Sequence, residues 1–273
     1  MSDDLRDTLI ESAAAGEEFL KRQIRRLSGI SNIDDHDRVV SRWRFSFTAT
    51  IPNEVPPDGK KSEAYVNAGY ARDSSDFVLY NFRTFGKFRK KKIGTAMLKA
   101  VMGVVYGADV PALVIAEVTG DGRTFWPAHG ALPIDEPVTL VSEIDKALAE
   151  NMAAIPKGSD AFIEILRIRN VAKQNPYRGF RELAQCDIAL SNGEGETFPL
   201  FRNIVFNRMC RQMRMVIIPS ELGTQKMLSD RLGRIPVFPP LPPDQLHYKE
   251  ICAKLAPDGC GARIEAKTAP RAG

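Results

Sequence analysis

The chain has 273 residues, 44% of them hydrophobic and 26% charged, which is an ordinary balance for a folded globular protein long enough to bury a core. Its formal net charge of +4 is too small to act as a global field, so any affinity for anions has to come from local clustering. Cys186, Cys210, Cys252 and Cys260 form no CxxC pair, and with three scattered histidines they make a poor metal set, so a reduced, cytoplasmic setting without a metal is expected. The start, MSDDLRDTLIES, is acidic and has no apolar h-region, so no secretory signal is expected. The most apolar window, from Ala100 to Ala116, is broken by Asp109 and Pro111 and is too short to span a bilayer, which predicts a soluble protein.

In chain order, residues 3–28 set Leu5, Leu9, Ile10, Ala13, Leu20, Ile24 and Leu27 at helical spacing and predict an amphipathic helix. RWRFSFTATI alternates, with Trp43, Phe45, Phe47, Ala49 and Ile51 on one face and polar residues on the other, which predicts a half-buried strand over 42–51. EVPPDGKK (54–61) reads as a loop, SEAYVNAGYA (62–71) as the antiparallel partner, and DFVLYNF (76–82) as a third strand. A basic stretch then leads into a helix from about Ile93 to Tyr106, followed by the β-branched strand ALVIAEV (112–118) and a short helical segment in GRTFWPAHGALPID. A strand, a helix and another strand ask for a crossover and a locally parallel pair, so the sheet should be mixed.

Residues 136–155 read as a helix. The second half offers a strand in AFIEILRIR (161–169), a helix in PLFRNIVFNRMCRQ (199–212) and a buried strand in MRMVII (213–218). The helix SELGTQKMLSDRLG should begin at an N-cap Ser220 and end at Gly233, with RIPVF as a last strand. PPLPP (239–243) reads as extended polyproline, and the tail from Ala256 as disordered.

The segment FGKFRKKKIGTAML carries the chemistry. Helix N-termini expose unpaired N–H groups and a partial positive charge, and so accept phosphate. Gly94 permits close approach of a ligand or positive φ. Arg89, Lys90, Lys91 and Lys92 add attraction, and Ile93 and Thr95 flank the glycine at the opening of the helix. A pyrophosphate would suit this place.

FRKKKIGTAML resembles the acyl-CoA-binding turn of the GNAT superfamily of N-acetyltransferases, whose signature is Arg/Gln-x-x-Gly-x-Gly/Ala opening a helix. Arg89 falls on its first position and Gly94 on its last, while Lys92 replaces the middle glycine. TFWPAHGA is similar to the family's Phe-Tyr-x-x-x-Gly-Phe segment, with Phe125 and Gly130 matching and Trp126 in place of the tyrosine. The resemblance covers about residues 40–133. It implies an acyl-CoA N-acyltransferase fold with a mixed, mostly antiparallel central sheet flanked by helices. It also implies acetyl-CoA or another acyl-CoA as co-substrate at residues 89–95, and an amine-bearing small molecule or protein as acceptor. The family's tyrosine often protonates the leaving thiolate, which an indole cannot do at neutral pH. Candidate bases are Glu117, near the end of the buried strand, and His129, ahead of Glu63 and Asp76.

A second GNAT-like turn could lie in YRGFREL (177–183), which follows an expected strand but lacks the glycine pair. The expected organisation is an acyl-CoA-binding domain over 1–135, and an α/β region over 136–255 that is either a second half or a continuation of the same fold. A tail over 256–273 completes it. The competing reading is a basic binding module whose segment 85–107 docks on nucleic acid or an anionic membrane, or a GNAT-like scaffold without catalysis. Nucleic acid is disfavoured by the lack of zinc fingers, an RNP signature or further aromatic–basic interleaving.

Overall fold

Residues 3–28 fold as their spacing predicts. In the computed structural model, which describes residues 3–36, 44–54, 61–71, 76–134, 137–153, 155–191, 197–207, 213–236 and 238, helix α1 spans Asp3–Ser28 and buries Leu9, Ala13, Leu20 and Ile24 along one face. A short β1 (Asp34–His36) and three longer strands follow: β2 (Arg44–Thr50), β3 (Glu63–Tyr70) and β4 (Phe77–Thr84). These pair antiparallel in sequence order. The alternation in β2 decides its orientation, because Phe45, Phe47 and Ala49 are all fully or nearly fully buried. Trp43, the stretch 239–243, the tail from 256 and three of the four cysteines lie outside the described residues.

Helix α2 (Ile93–Gly107) carries the chain from β4 back to β5 (Leu113–Val118), and the two strands pair parallel, as the crossover order requires. After α3 (Gly122–Ala128) and β6 (Leu132–Pro133), the chain leaves the sheet for helices α4 (Pro137–Met152), α5 (Asp160–Gln174) and α6 (Pro176–Gln185). A small ribbon of β7 (Ala189–Ser191) and β8 (Thr197–Pro199) leads into α7 (Leu200–Asn207). Then β9 (Met213–Ile217) returns between β5 and β6, antiparallel to both, before α8 (Leu222–Leu232). The seven-stranded sheet therefore runs β1-β2-β3-β4-β5-β9-β6, mixed and mostly antiparallel, with helices around it. Strand β9 thus shares one sheet with β1 to β6.

Three expectations fail here. Residues 161–169 are not a strand but lie inside α5, in its N-terminal two thirds. FIEILRIR also fits a helical face, since Ile165 and Ile168, with Ala172 just beyond it, are what is buried, and Ser159 caps the helix by accepting from the Phe162 N–H at 3.3 Å. Helix α8 is capped by Glu221 rather than Ser220, its carboxylate accepting from the N–H groups of Gly223 and Thr224. Burial pushes the Glu221 carboxyl up, but Arg181 and the Thr224 N–H outweigh it and the net shift is downward. Finally, Ile235 and Pro236 of the expected last strand are not in a strand.

Instead, Pro236 and Phe238 lie against α2. The Phe238 N–H donates to the Gly103 carbonyl at 3.4 Å, and the Phe238 ring meets Phe19 of α1 with centroids 5.7 Å apart. A Cβ on Gly103 would overlap the Phe238 ring, and one on Gly107 would overlap the Phe238 carbonyl. Glycine at these helical positions is thus set by close packing and not by turn geometry. In a free helix Gly→Ala stabilises by about 0.5–1 kcal/mol, whereas overpacking costs about 1–3 kcal/mol. Gly107→Ala is therefore expected to lower the urea midpoint. A raised midpoint would show that Phe238 does not pack there.

Candidate functional site

Strands β4 and β5 pair only over Phe77–Leu79 and Leu113–Ile115, although β4 continues to Thr84 and β5 to Val118. The parting begins at an irregularity. Asn67 of β3 pairs with Asn81 and Ala68 with Leu79, which leaves Tyr80 as the extra residue of a bulge. On the other side, β5 loses register with β9 between Ile115 and Val118. Residues 80–84 and 116–118 therefore lie beyond the paired stretch of the two strands.

The basic turn closes the end of β4. Gly86 has φ +57°, and a Cβ there would overlap the Ser62 hydroxyl. That hydroxyl accepts from the Lys87 N–H at 2.9 Å and donates to Glu54 at 2.9 Å, while the Ser62 N–H donates to the same carboxylate at 2.6 Å. Lys87 Nζ adds an ion pair to Glu54 at 3.2 Å. The Ser62 backbone N–H leads the causes that hold the Glu54 carboxyl below its ordinary range.

Beyond the clamp, Lys90 and Lys92 both take left-handed backbone, each with φ +59°. Lys92 is the N-cap of α2 and supplies no side-chain acceptor, and the first turn holds no acidic residue. The Ile93, Gly94 and Thr95 N–H groups thus have no cap, in contrast to helices that start on Ser, Asp or Asn. Gly94 does not have the positive φ considered for it; the left-handed positions belong to Lys90 and Lys92 instead. Its missing Cβ would meet nothing nearer than the Phe82 ring at 3.9 Å.

The four cations differ in what they do. Arg89 pairs with Asp121 at 3.0 Å, tying the turn to the start of α3. Lys91 donates to the Ser28 carbonyl at 2.7 Å, at the negative end of α1. Lys90 and Lys92 are exposed and have no ion-pair partner among the described residues. Ile93 turns its side chain into the core, so only its backbone faces the turn, while Thr95 is half-buried. Because α2 buries its apolar residues on the protein's own core, it has no apolar face to offer a lipid surface.

Beside Gly94, an aromatic cluster joins β4 to α3. Phe82 packs on Phe125 and Trp126 with centroids 5.6 and 4.8 Å away, and Phe125 lies 4.3 Å from the His129 ring. His129 is buried, and burial leads in lowering its pKa, with the Arg231 charge acting in the same direction against a hydrogen bond to Phe125. Its Nδ1 lies 2.7 Å from the Phe125 carbonyl, which can only accept. Nδ1 therefore carries the proton, and Nε2 of the neutral ring keeps a lone pair. Glu117 is exposed near the end of β5 in the stretch out of register with β9. Glu63 is engaged by Arg83 at 3.0 Å, and Asp76 precedes β4 at the other end of that strand. The structure thus brings the turn, Phe82, Asp121, Phe125, Trp126 and His129 into one neighbourhood.

The second candidate turn does not survive. Residues 177–183 lie inside α6, which follows helix α5 and not a strand. Gly179 is there because α5 passes so close that a Cβ would overlap Ala172. Among the described residues no helix is long and apolar enough to cross a membrane, and no three His, Cys, Asp or Glu side chains gather to hold a metal. The chain matches no protein-family model, no curated protein and no solved structure.

The Glu54 clamp gives the turn a pH dependence of fixed sign. A carboxyl whose pKa is lowered by folding contributes stability that is complete above its unfolded value, about 4.3, and is lost as pH falls through the folded value. Wild-type melting temperature should therefore fall more steeply below about pH 4.3 than that of Glu54→Gln. Parallel curves for the two proteins would show that the clamp does not hold in solution.

Proposed function

We propose that the protein is an acyl-CoA-dependent N-acyltransferase. The donor's diphosphate is held at the N-terminus of α2, and its thioester arm enters where β4 and β5 part. The observation that carries this reading is Gly94. Neither backbone conformation nor internal packing requires a glycine there, yet it stands at an uncapped helix start between Lys90, Lys92 and Thr95. A ligand approaching the main chain closely accounts for it. The order of antiparallel strands, basic turn, crossover helix and parallel strand supports the GNAT resemblance, as does left-handed backbone at Lys92, where that family has glycine.

In the reaction the acceptor nitrogen attacks the thioester carbonyl. The C–S bond breaks, the amide C–N bond forms, and the nitrogen's proton is passed on while the sulfur leaves as thiolate and is protonated. Within this chain, the stretch beyond the β4–β5 pairing offers a place for the arm, and the site's contribution is mainly positioning. The neutral His129, with its Nε2 lone pair, is the candidate proton acceptor that lies in the aromatic cluster; Glu117 is the alternative on β5. Trp126 fills the place of a proton-donating tyrosine without supplying a proton. Beside the bulge, Asn67 is buried with Oδ1 unpartnered among the described residues, which suits an N–H of the acceptor.

A second reading, a basic surface for polyanions, draws on the exposed Lys90 and Lys92. The two separate at Gly94. Gly94→Val leaves every cation in place and should change unliganded stability by only some tenths of a kcal/mol, since valine is a better helix residue than glycine. Acetyl-CoA or a longer acyl-CoA at a hundredfold excess over its Kd should stabilise the wild type by about 2.7 kcal/mol in a thermal-shift titration. In Gly94→Val that shift should vanish while the unliganded melting temperature holds. An unchanged shift rejects the turn as the site. Stabilisation by a salt-matched polyanion but not by acyl-CoA favours the basic surface.

A further inference from the structure

The cations of the turn do not end at the turn. Helices α1 and α2 pack antiparallel. Ser12 lies beside Gly107, Gly16 lies beside Val104, and Lys91 Nζ sits on the Ser28 carbonyl. The last turns of α1 therefore lie against the basic turn, and they expose Arg22, Arg25 and Arg26. The i, i+3 and i, i+4 spacing puts these three like charges on one stretch of helix surface, which is locally unfavourable. The helix dipole offsets this for Arg25 and Arg26 in the last turn, but not for Arg22. The nearby Glu18 is taken by Lys21 at 3.3 Å. Arg22 and Arg26, like Lys90 and Lys92, have no ion-pair partner among the described residues.

We infer that this ridge docks an acidic protein that carries the acyl group on a phosphopantetheine arm. This inference rests on the acyl-thioester reading of the turn and names the form in which the donor arrives. Such an arm is tethered through one phosphodiester, for which the α2 N-terminus with Lys90 and Lys92 is sufficient. The remaining cations lie elsewhere. At 1.5 Å per residue Arg22 stands about 9 Å along α1 from Ser28. On the outside of a helix it is poorly placed for a diphosphate held at Ile93–Thr95 and well placed for a broad face of carboxylates. The chemistry is unchanged: the C–S bond breaks, the C–N bond forms, and the carrier leaves with a free thiol on its arm.

The test compares one acyl chain in two forms, octanoyl-CoA and an acidic acyl carrier protein loaded with an octanoyl phosphopantetheine arm. Binding of each to wild type, R22E/R26E and R22K/R26K is measured by calorimetry, with melting temperatures as the control for folding. The expected result is carrier binding that weakens at least about tenfold in R22E/R26E and is kept in R22K/R26K, with octanoyl-CoA affinity the same in all three. Equal weakening of both donors would assign the arginines to the coenzyme's own phosphates and overturn the inference. So would carrier binding that ignores the charge reversal, or a duplex DNA that displaces the carrier from the ridge. If octanoyl-CoA binds and the carrier does not, only the inference fails; if neither binds, the acyltransferase reading fails with it.

Discussion

Two neighbouring parallel strands cannot be joined by a tight turn, because the chain has to travel back along the sheet before entering it again in the same direction. In this protein that requirement falls on β4 and β5, and α2 is the return path. Its N-terminus is therefore fixed at the end of β4, with the positive end of its dipole beside the place where the two strands part. Burial of α2 calls for a cover, which α1, Pro236 and Phe238 provide through close contacts at Gly16, Gly103 and Gly107. The candidate site is a consequence of one parallel step in an otherwise antiparallel sheet.

The turn at that step is held against its own local preferences. Left-handed backbone costs a non-glycine residue about 1–2 kcal/mol, and it occurs twice, at Lys90 and Lys92. An N-cap lysine cannot accept from the first-turn N–H groups, and clustered cations repel one another. What holds the turn comes from afar. Glu54 and Ser62 grip its entry, Asp121 takes Arg89, and the end of α1 takes Lys91. Each of these contacts fixes the turn while leaving Lys90 and Lys92 exposed. Local strain kept in place by remote contacts is a recurrent mark of binding sites.

Strands and helices with a single clear period were legible in the sequence. The alternation Phe45-Phe47-Ala49 and the spacing of Leu9, Ala13, Leu20 and Ile24 each allow one reading, and the structure follows it. FIEILRIR satisfies both periods, and there the deciding signals were the cap at Ser159 and the Glu164–Arg167 pair at i, i+3. The basic turn was legible as a strand-to-helix junction, but its conformation was not. Gly86 has the left-handed backbone sought at Gly94, because the need for it comes from Ser62, 24 positions earlier in the chain. The place of β9 between β5 and β6 depends on pairing across about a hundred residues, which no local pattern encodes. Phe82 and Asp121 were missed as neighbours of the turn for the same reason. The Tyr80 bulge shifts the face on which Phe82 lies, and Asp121 comes close only once α3 has folded back.

The second half of the chain also bears on the site. Arg181 of α6 holds Glu221 with two hydrogen bonds of 2.9 and 2.7 Å, and Glu221 caps α8. From that helix, Thr224 Oγ1 donates to the Gly130 carbonyl at 3.0 Å. Gly130 has φ +87°, and a Cβ there would press on the Thr224 backbone at 3.0 Å, so the turn after α3 is fitted closely to α8. His129 is the residue before it, and Arg231 of α8 helps to keep its ring neutral. An imidazole with a free Nε2 is thus made jointly: Phe125 sets the tautomer, burial and Arg231 set the charge, and the helices after β6 fix the turn that carries it. Helices α4 to α7 separate β6 from β9 in the chain, yet through Arg181 of α6 they support the turn that carries His129.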